Sequence, residues 1–209
     1  PIKGQYSASG MNSEETAPLS PITLKAYKLT SANPVPSATM KLTPESCKAS
    51  DGEGLMFYVS VPDDTGVSVK VSSSSDLTLA AGKSVQLLEK DGTEWKSVLV
   101  ASDRTFSFAQ TFEGWVKIPY GTLSAAFEEN NDGISEISIQ LSRDSKLDSA
   151  VLGAVSLCKN NSTSPDIAYP SEYLPQNPKD RIDYILDRSQ KGIADAHYFM
   201  VGDSTRHLL

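Results

Sequence analysis

Short runs of β-favouring residues, separated by Gly, Pro, Asp and Ser, make up most of the sequence between residues 22 and 157. Each run is too short for a typical helix and is rich in branched and aromatic residues, which pack well on a pleated sheet. Repeated runs at this spacing are typical of an all-β sandwich or barrel. The predicted strands are residues 22–29, 39–42, 55–61, 68–73, 84–89, 95–100, 105–108, 115–119, 136–141 and 150–157.

The chain divides into four parts by its local pattern. Residues 1–20 lack hydrophobic periodicity and predict a flexible leader, and the β-rich region then extends over residues 21–159. Residues 160–178 contain four prolines among Asn and Ser, which predicts an extended linker. Residues 179–209 predict a helix, an apolar strand and a second helix start, that is, an incomplete α/β segment.

Composition excludes several classes of function. The sequence has 19 Lys and Arg against 26 Asp and Glu, a net charge of -7, so we expect neither nucleic acid nor an anionic membrane surface as partner. No apolar stretch is long enough to predict a membrane span. With only two His and two Cys, a four-ligand zinc cluster is not expected, and carboxylate-bound calcium is the more plausible metal.

Alternation along each strand separates inward from outward side chains. In residues 55–61 the odd positions are all apolar, whereas the even positions are Met56, Tyr58 and Ser60. If the central strands lie in one sheet, its outer face combines polar groups with two large aromatic rings. The residues of that predicted face are Tyr58, Ser60, Ser68, Lys70, Trp115, Lys117, Glu136, Ser138 and Gln140.

Such a face suits sugar recognition. An aromatic ring covers the apolar C–H face of a pyranose, while amides, carboxylates and ammonium groups bind its hydroxyls. The alternative is a solvated sheet face on which a loop covers Trp115. Trp95 and Tyr120 have two interpretations as well, since each is either a stacking residue on a loop or part of the packing at a sheet edge.

One segment resembles a known type of strand. Residues 112–119, Phe-Glu-Gly-Trp-Val-Lys-Ile-Pro, follow the aromatic pair Phe106 and Phe108. They resemble the F-x-G-W/Y-V-x-I-P strand of jelly-roll β-sandwich modules in bacterial carbohydrate-active and cell-surface proteins. The resemblance implies a jelly-roll β-sandwich, so together with the short C-terminal α/β segment the expected fold class is mostly β. The resemblance also implies a polysaccharide or oligosaccharide partner and a secreted or cell-surface location.

A second resemblance lies near the end of the sequence. Residues 197–205, an apolar run leading into Gly202-Asp203-Ser204, are similar to the first block of SGNH/GDSL hydrolases. In that family the equivalent of Ser204 is the nucleophile of ester hydrolysis, at a helix N-terminus that stabilises an oxyanion. His197 and His207 are not placed like the base of that family. About 45 residues cannot complete a doubly wound domain, so we expect this chain alone to be non-catalytic.

The two cysteines leave two alternatives open. Cys47 and Cys158 lie near the two ends of the β-rich region, and early and late strands of a jelly roll are often neighbours. A disulfide is therefore possible and would suit an exported protein. Two unpaired, buried thiols are the other alternative.

Two acidic turns are candidates for a structural calcium ion. Asp51 and Glu53 lie in one turn, and Asp63 and Asp64 lie in another. Carboxylates supply the hard oxygen ligands that calcium prefers, although acidic turns are also commonly solvated. No other cofactor is expected.

These observations lead to three functional hypotheses. The first is a non-catalytic accessory module that binds polysaccharide and tethers an SGNH-type esterase domain in cis. The second is a structural β-sandwich of an SGNH/GDSL esterase whose catalytic domain continues beyond residue 209. The third is a surface adhesion or scaffold domain whose exposed aromatic residues bind a protein partner.

Overall fold

The computed structural model describes residues 2–16, 26–92, 94–127 and 133–158. These residues form eleven strands and two single 3-10 turns, Ala49–Asp51 and Tyr120–Thr122. None of the helical turns in this part of the chain has the length and apolar character needed to cross a bilayer. The strands are β1 Gly4–Ser9, β2 Asn12–Glu15, β3 Ala26–Pro44, β4 Gly54–Val61, β5 Thr65–Ser72, β6 Asp76–Thr78, β7 Ser84–Glu89, β8 Lys96–Leu99, β9 Phe106–Phe108, β10 Phe112–Pro119 and β11 Glu136–Cys158.

All the strands pair antiparallel in one continuous sheet. Its main path runs β1, β3, β11, β4, β10, β7, β8, while β2 pairs with β3, β5 pairs with β11, and β6 and β9 pair with β5. The strands β3 and β11 are the longest, with 19 and 23 residues, and they pair with each other between Ile137 and Gly153 of β11, with an irregular stretch in the middle. The predicted mostly-β, sandwich-like class is confirmed.

The sheet has two halves that share β3 and β11. Residues 136–142 of β11 pair with β5, and residues 151–158 pair with β4. We call these the β5 half, which also contains β1, β6 and β9, and the β4 half, which also contains β2, β7, β8 and β10. Each half therefore contains one end of β3 and one end of β11.

One hydrophobic core lies between the two halves. Alternate side chains of β4, such as Phe57 and Val59, belong to the same buried cluster as Val69 of β5 and Ile139 of β11. Burial of each such side chain contributes about 2 kcal/mol. Because both halves turn their apolar side to this shared core, their outer faces lie on opposite sides of the molecule.

The junction between the halves is an irregular stretch of β11. Its pairing with β3 shifts register between Ser142 and Leu147 and again between Leu147 and Ser149. Arg143, in this stretch, donates from Nε to the carbonyl oxygen of Asp63 at 2.7 Å and forms an ion pair with the Asp63 carboxylate. The bend in β11 is thereby fastened to the turn between β4 and β5.

The prediction of a flexible leader at residues 1–20 is wrong for residues 2–16, the part that the structure describes. The chain forms β1 and β2 there, and Ile2 and Met11 enter the core. Gly10, with φ +86°, makes the corner between the two strands. β2 is exposed throughout and β1 has only Tyr6 and Ala8 as apolar side chains packed against the core, so the hydrophobic pattern is weak, and β3 supplies the backbone partner that orders both strands.

Strand β3 is also longer than predicted. The sequence predicts a break between residues 29 and 39, where Pro34 and Pro36 lie, but the structure has one strand. Between Thr30 and Ser37 only Val35 has a partner in β11, so the two prolines occupy positions where a missing N–H costs no ladder bond. The predicted linker at 160–178 and the α/β segment at 179–209 lie outside the described residues.

The glycine of the F-x-G-W strand has a steric role. Gly114 lies in β10 between Val59 of β4 and Glu89 of β7. A Cβ atom at this position would lie 2.1 Å from the carbonyl oxygen of Leu88 and 2.9 Å from Cα of Glu89. The contacts are with backbone, which has no side-chain rotamer to yield. Only glycine therefore lets β7 approach β10 this closely.

We expect Gly114→Ala to lower the free energy of unfolding by about 3 kcal/mol, the size of other severe steric substitutions. Gly121→Ala is the matched control, since nothing lies within 4 Å of a Cβ built there. That variant is expected to change stability by no more than about 0.5 kcal/mol. Urea denaturation of both variants measures the difference, and equal stabilities would contradict the steric role.

Candidate functional site

The outer face predicted from the sequence does not assemble as one surface. Tyr58, Trp115 and Lys117 lie in the β4 half, whereas Lys70 lies in the β5 half. Strands β4 and β5 follow one another along β11 on either side of its bend, so their outer residues point away from each other. The prediction that they form a joint sugar-binding face is therefore wrong.

The predicted stacking rings are buried. Tyr58 is 4% exposed and Trp115 is 6% exposed, and they meet edge to face with centroids 5.4 Å apart. Lys117, two residues further along β10 and on the same face, is 2% exposed. These residues form an aromatic and polar layer on the outer side of the β4 half. A ring in such a layer cannot offer its face to a sugar in solution.

Trp95 packs on this layer from the loop before β8. The Lys117 Nζ atom lies 5.5 Å from the centroid of the Trp95 ring, a cation-π contact. The indole N–H of Trp95 is buried and has no acceptor among the described residues. Trp95 is thus a packing residue that covers a buried ammonium group.

Glu113 links the buried layer to the surface. The Tyr58 hydroxyl donates a hydrogen bond to the Glu113 carboxylate, and Lys90 Nζ donates to the same oxygen at 2.7 Å. The hydrogen bonds from Lys90 and Tyr58 lower the pKa of Glu113. Burial, and then the neighbouring Glu113 carboxylate, raises the pKa of Tyr58, so its hydroxyl remains a donor throughout the neutral range.

A groove of about 480 Å³ opens beside Glu113. One wall is the hairpin of β7 and β8, and the other is the segment 107–113, which connects β9 to β10. Within the described chain β8 pairs only with β7 and β9 pairs only with β5, so the groove lies between two peripheral strands. It is the open end of the sandwich, where the two halves of the sheet separate.

The groove has an apolar floor. Phe108 and Phe112 stack with centroids 4.6 Å apart and line it together with Leu87 and Val98. Both phenylalanines and Leu87 belong to the core cluster, and Val98 packs against that cluster. The floor is therefore rigid and continuous with the interior.

The rim of the groove is charged. Lys90 pairs with Glu113, and Lys96 pairs with Glu89, each at 2.7 Å. Sequence reasoning missed this site because its parts come from two strand connections on different halves of the sheet. The available signal was Glu89-Lys90-Asp91 beside Asp91-Gly92, a dipeptide typical of tight hairpin turns, and the structure forms the β7–β8 hairpin there.

The outer face of the β5 half is an ordinary solvated sheet face. Glu136 pairs with Lys41 at 3.3 Å, Lys70 pairs with Asp76 at 3.4 Å, and Gln140 accepts a hydrogen bond from Ser68. Lys70, Glu136 and Gln140 thus bind their neighbours on a surface of Ser, Thr and charged residues. Within the described residues, none of these three side chains has an aromatic partner.

Tyr120 is part of the packing. Its hydroxyl donates to the carbonyl oxygen of Ala49 at 2.8 Å, and its ring meets Phe127 edge to face at 4.8 Å. It therefore ties the turn after β10 to the turn before β4.

The carboxylates predicted for calcium do not form one site. Asp51 and Glu53 precede β4, and Asp63 and Asp64 follow it, roughly 25 Å away at the rise of an extended strand. Asp63 is occupied by Arg143. Nowhere in the described ranges do three or more His, Cys, Asp or Glu residues group to hold a metal ion. Calcium binding by either turn alone stays a prediction.

Both cysteines are free thiols in the structure. Burial, and to a lesser degree the Asp51 carboxylate, raises the pKa of Cys47 to about 11. A thiol with this pKa is almost fully protonated at neutral pH and is a weak nucleophile. Ser204, the predicted nucleophile, lies outside the described residues.

We expect Tyr58→Phe and Glu113→Gln each to lower the free energy of unfolding at pH 7 by about 1 kcal/mol, since the first removes a hydrogen bond to a partly solvated carboxylate and the second replaces that carboxylate by a neutral, weaker acceptor. The folded-state pKa of Glu113 is lowered, so its contribution is complete above its usual pKa and is lost as the pH falls through the lowered value. Denaturation of the single and double variants across acidic pH measures this. Additive effects of the two substitutions would contradict the contact.

We expect the native Cys47 thiol to react with a disulfide reagent at pH 8 about a hundredfold more slowly than an unperturbed cysteine, because so little thiolate is present. Asp51→Asn should accelerate the reaction, since it removes the smaller cause of the raised pKa. Asp144→Asn, an exposed change of equal charge, should not. A native rate equal to that of the urea-unfolded chain would contradict the burial of Cys47.

Comparison with known proteins gives no family for this chain. No family model matches the sequence, and no curated protein matches it. Among solved structures, it is similar to the enzymatically active domain of tailspike protein 4 of bacteriophage CBA120, with a TM-score of 0.33, 11% identity and 72% of this chain covered. It is also similar to an exo-beta-agarase, with a TM-score of 0.35, 11% identity and 78% covered. The match spans only 18% and 24% of those two chains, and scores this low assign no activity.

Proposed function

We propose that this β-sandwich is a non-catalytic carbohydrate-binding module whose ligand lies in the groove between the β7–β8 hairpin and residues 107–113. The observation that carries the proposal is the combination of an apolar floor with a charged rim in one groove of about 480 Å³. This volume is within the range of small-ligand sites. It replaces the outer sheet face as the candidate surface, because the aromatic rings of that face are buried.

The lining of the groove has the chemistry that a sugar requires. The C–H face of a pyranose is apolar and packs on a half-buried apolar side chain such as Val98, while its hydroxyls bind charged and amide side chains such as Lys96 and Gln110. The groove opens to solvent between the β7–β8 hairpin and residues 107–113, so it can receive one segment of a longer sugar chain. A polysaccharide therefore fits better than an enclosed small molecule.

We expect a single groove of this kind to bind a sugar chain weakly. Many copies held near an insoluble polysaccharide gain from effective concentration, which is the usual advantage of an accessory module. The resemblance of residues 197–205 to the SGNH/GDSL family supports a secreted or cell-surface parent protein in which the module holds an esterase domain on its substrate. In that parent Ser204 would be the nucleophile.

A second function is favoured by the burial of the outer layer of the β4 half. Met56 is 0% exposed although it points away from the core cluster, and Tyr58, Trp115 and Lys117 are nearly as buried. A sandwich with a buried outer face suits a structural role beside a hydrolase domain. In that case Trp115→Ala would reduce p-nitrophenyl acetate hydrolysis by the longer gene product, whereas Gln110→Ala would not.

The main proposal is tested by affinity electrophoresis and calorimetry against plant and bacterial polysaccharides. We expect at least one glycan to bind, and Gln110→Ala combined with Lys96→Met to weaken that binding about tenfold through lost hydrogen bonds in the groove. Lys41→Ala, on the outer face of the β5 half, is the control and should bind as well as the parent. Urea midpoints of all variants establish that they are folded.

Two results would count against this function. One is the absence of binding to every glycan in the panel. The other is equal affinity of the groove variant and the Lys41→Ala control, which would place any ligand elsewhere on the molecule.

A further inference from the structure

The rim of the groove carries more negative than positive charge. Its carboxylates are Glu89, Asp91 and Glu113, and its ammonium groups are Lys90 and Lys96. Two of the carboxylates are matched, since Lys96 pairs with Glu89 and Lys90 pairs with Glu113. Asp91 is left without an ion-pair partner among the described residues.

Asp91 lies close enough to act on the Glu113 cluster. The hydrogen bond to Glu113 is the main cause of the raised pKa of Lys90, and the negative charge of Asp91 adds to it. Asp91 also contributes to the raised pKa of Tyr58. The Lys90 ammonium group therefore lies near two carboxylates, that of Glu113, with which it pairs, and that of Asp91. The net charge of these three groups is -1.

The imbalance has consequences for the ligand. We infer that the rim at Asp91 selects glycans that carry a free amino group and disfavours glycans that carry carboxylates. This inference rests on the proposed carbohydrate-binding function and names the class of sugar. A protonated amine can bind Asp91 while leaving the two existing ion pairs intact, which adds one attractive contact to those of a neutral sugar.

A carboxylate on the ligand meets the opposite situation. Lys90 and Lys96 already pair with Glu113 and Glu89, each at 2.7 Å, so a ligand carboxylate finds their positive charge largely neutralised. It also approaches Asp91 and a protein whose net charge is -7. Like charges across a binding surface suppress a partner even where the shape fits.

The test compares three tetrasaccharides that differ in charge. Tetraglucosamine and tetra-N-acetylglucosamine share one backbone and differ in whether their amines are free or acetylated, and tetragalacturonic acid supplies the carboxylate case on a different sugar. At about pH 5.5 and about 20 mM salt, we expect tetraglucosamine to bind about two- to fivefold more tightly than its acetylated form, the effect of one exposed ion pair. Tetragalacturonic acid should bind more weakly than either, and about 500 mM salt should abolish the preference for the amine.

The assignment to Asp91 is tested by matched variants. Asp91→Asn should bind the free and acetylated forms equally, whereas Asp144→Asn, which changes net charge by the same amount at an exposed site, should retain the preference. Equal affinities in the parent protein, or a preference that survives Asp91→Asn, would overturn the inference.

These failures differ from failure of the proposed function. If tetra-N-acetylglucosamine binds with an affinity that depends on Gln110 but the amine gives no advantage, the selectivity is wrong and carbohydrate binding stands. If none of the three tetramers binds and the polysaccharide panel is also negative, both are overturned.

Discussion

The pairing of β11 along its whole length organises the molecule. Its first part, residues 136–142, bonds to β5, its last part, residues 151–158, bonds to β4, and β3 pairs with parts of both between Ile137 and Gly153. Two long strands therefore serve both halves of the sheet, and Arg143 fastens their bend to the turn at Asp63. Because the apolar sides of both halves close on one core, their outer faces are separated and cannot cooperate in a site.

The outer layer of the β4 half contains a buried lysine, Lys117. A lysine that is 2% exposed is costly unless its charge is compensated, and Trp95 provides part of the compensation for Lys117 through its ring. Tyr58 reaches from the same layer to Glu113, where Lys90 meets it from the groove. Tyr58 and Trp115, which the sequence suggested as sugar-stacking residues, instead pack within the β4 half. Glu113 connects this layer to the rim of the groove through its hydrogen bonds with Tyr58 and Lys90.

The regular strands could be predicted because their signal is local. Strand β7 has the predicted bounds, and β4 differs from its predicted bounds by one residue, since both alternate between apolar core positions and other side chains. β1, β2 and β6 could not be predicted. They are short and bury few side chains, so the backbone bonds that β3 and β5 supply to them leave no periodic pattern in their own residues.

The sequence by itself determined the mostly-β class, the inward side chains of the central strands and the hairpin at Asp91 and Gly92. Each of these depends on residues within a few positions of one another, through the two-residue period of a strand or the backbone freedom of a tight turn. Only the tertiary structure decided which outward residues share a surface and that Glu89, Lys90 and Glu113 border one groove. Those outcomes depend on which strands pair across the bend of β11, and such non-local pairing leaves no periodic trace in the sequence.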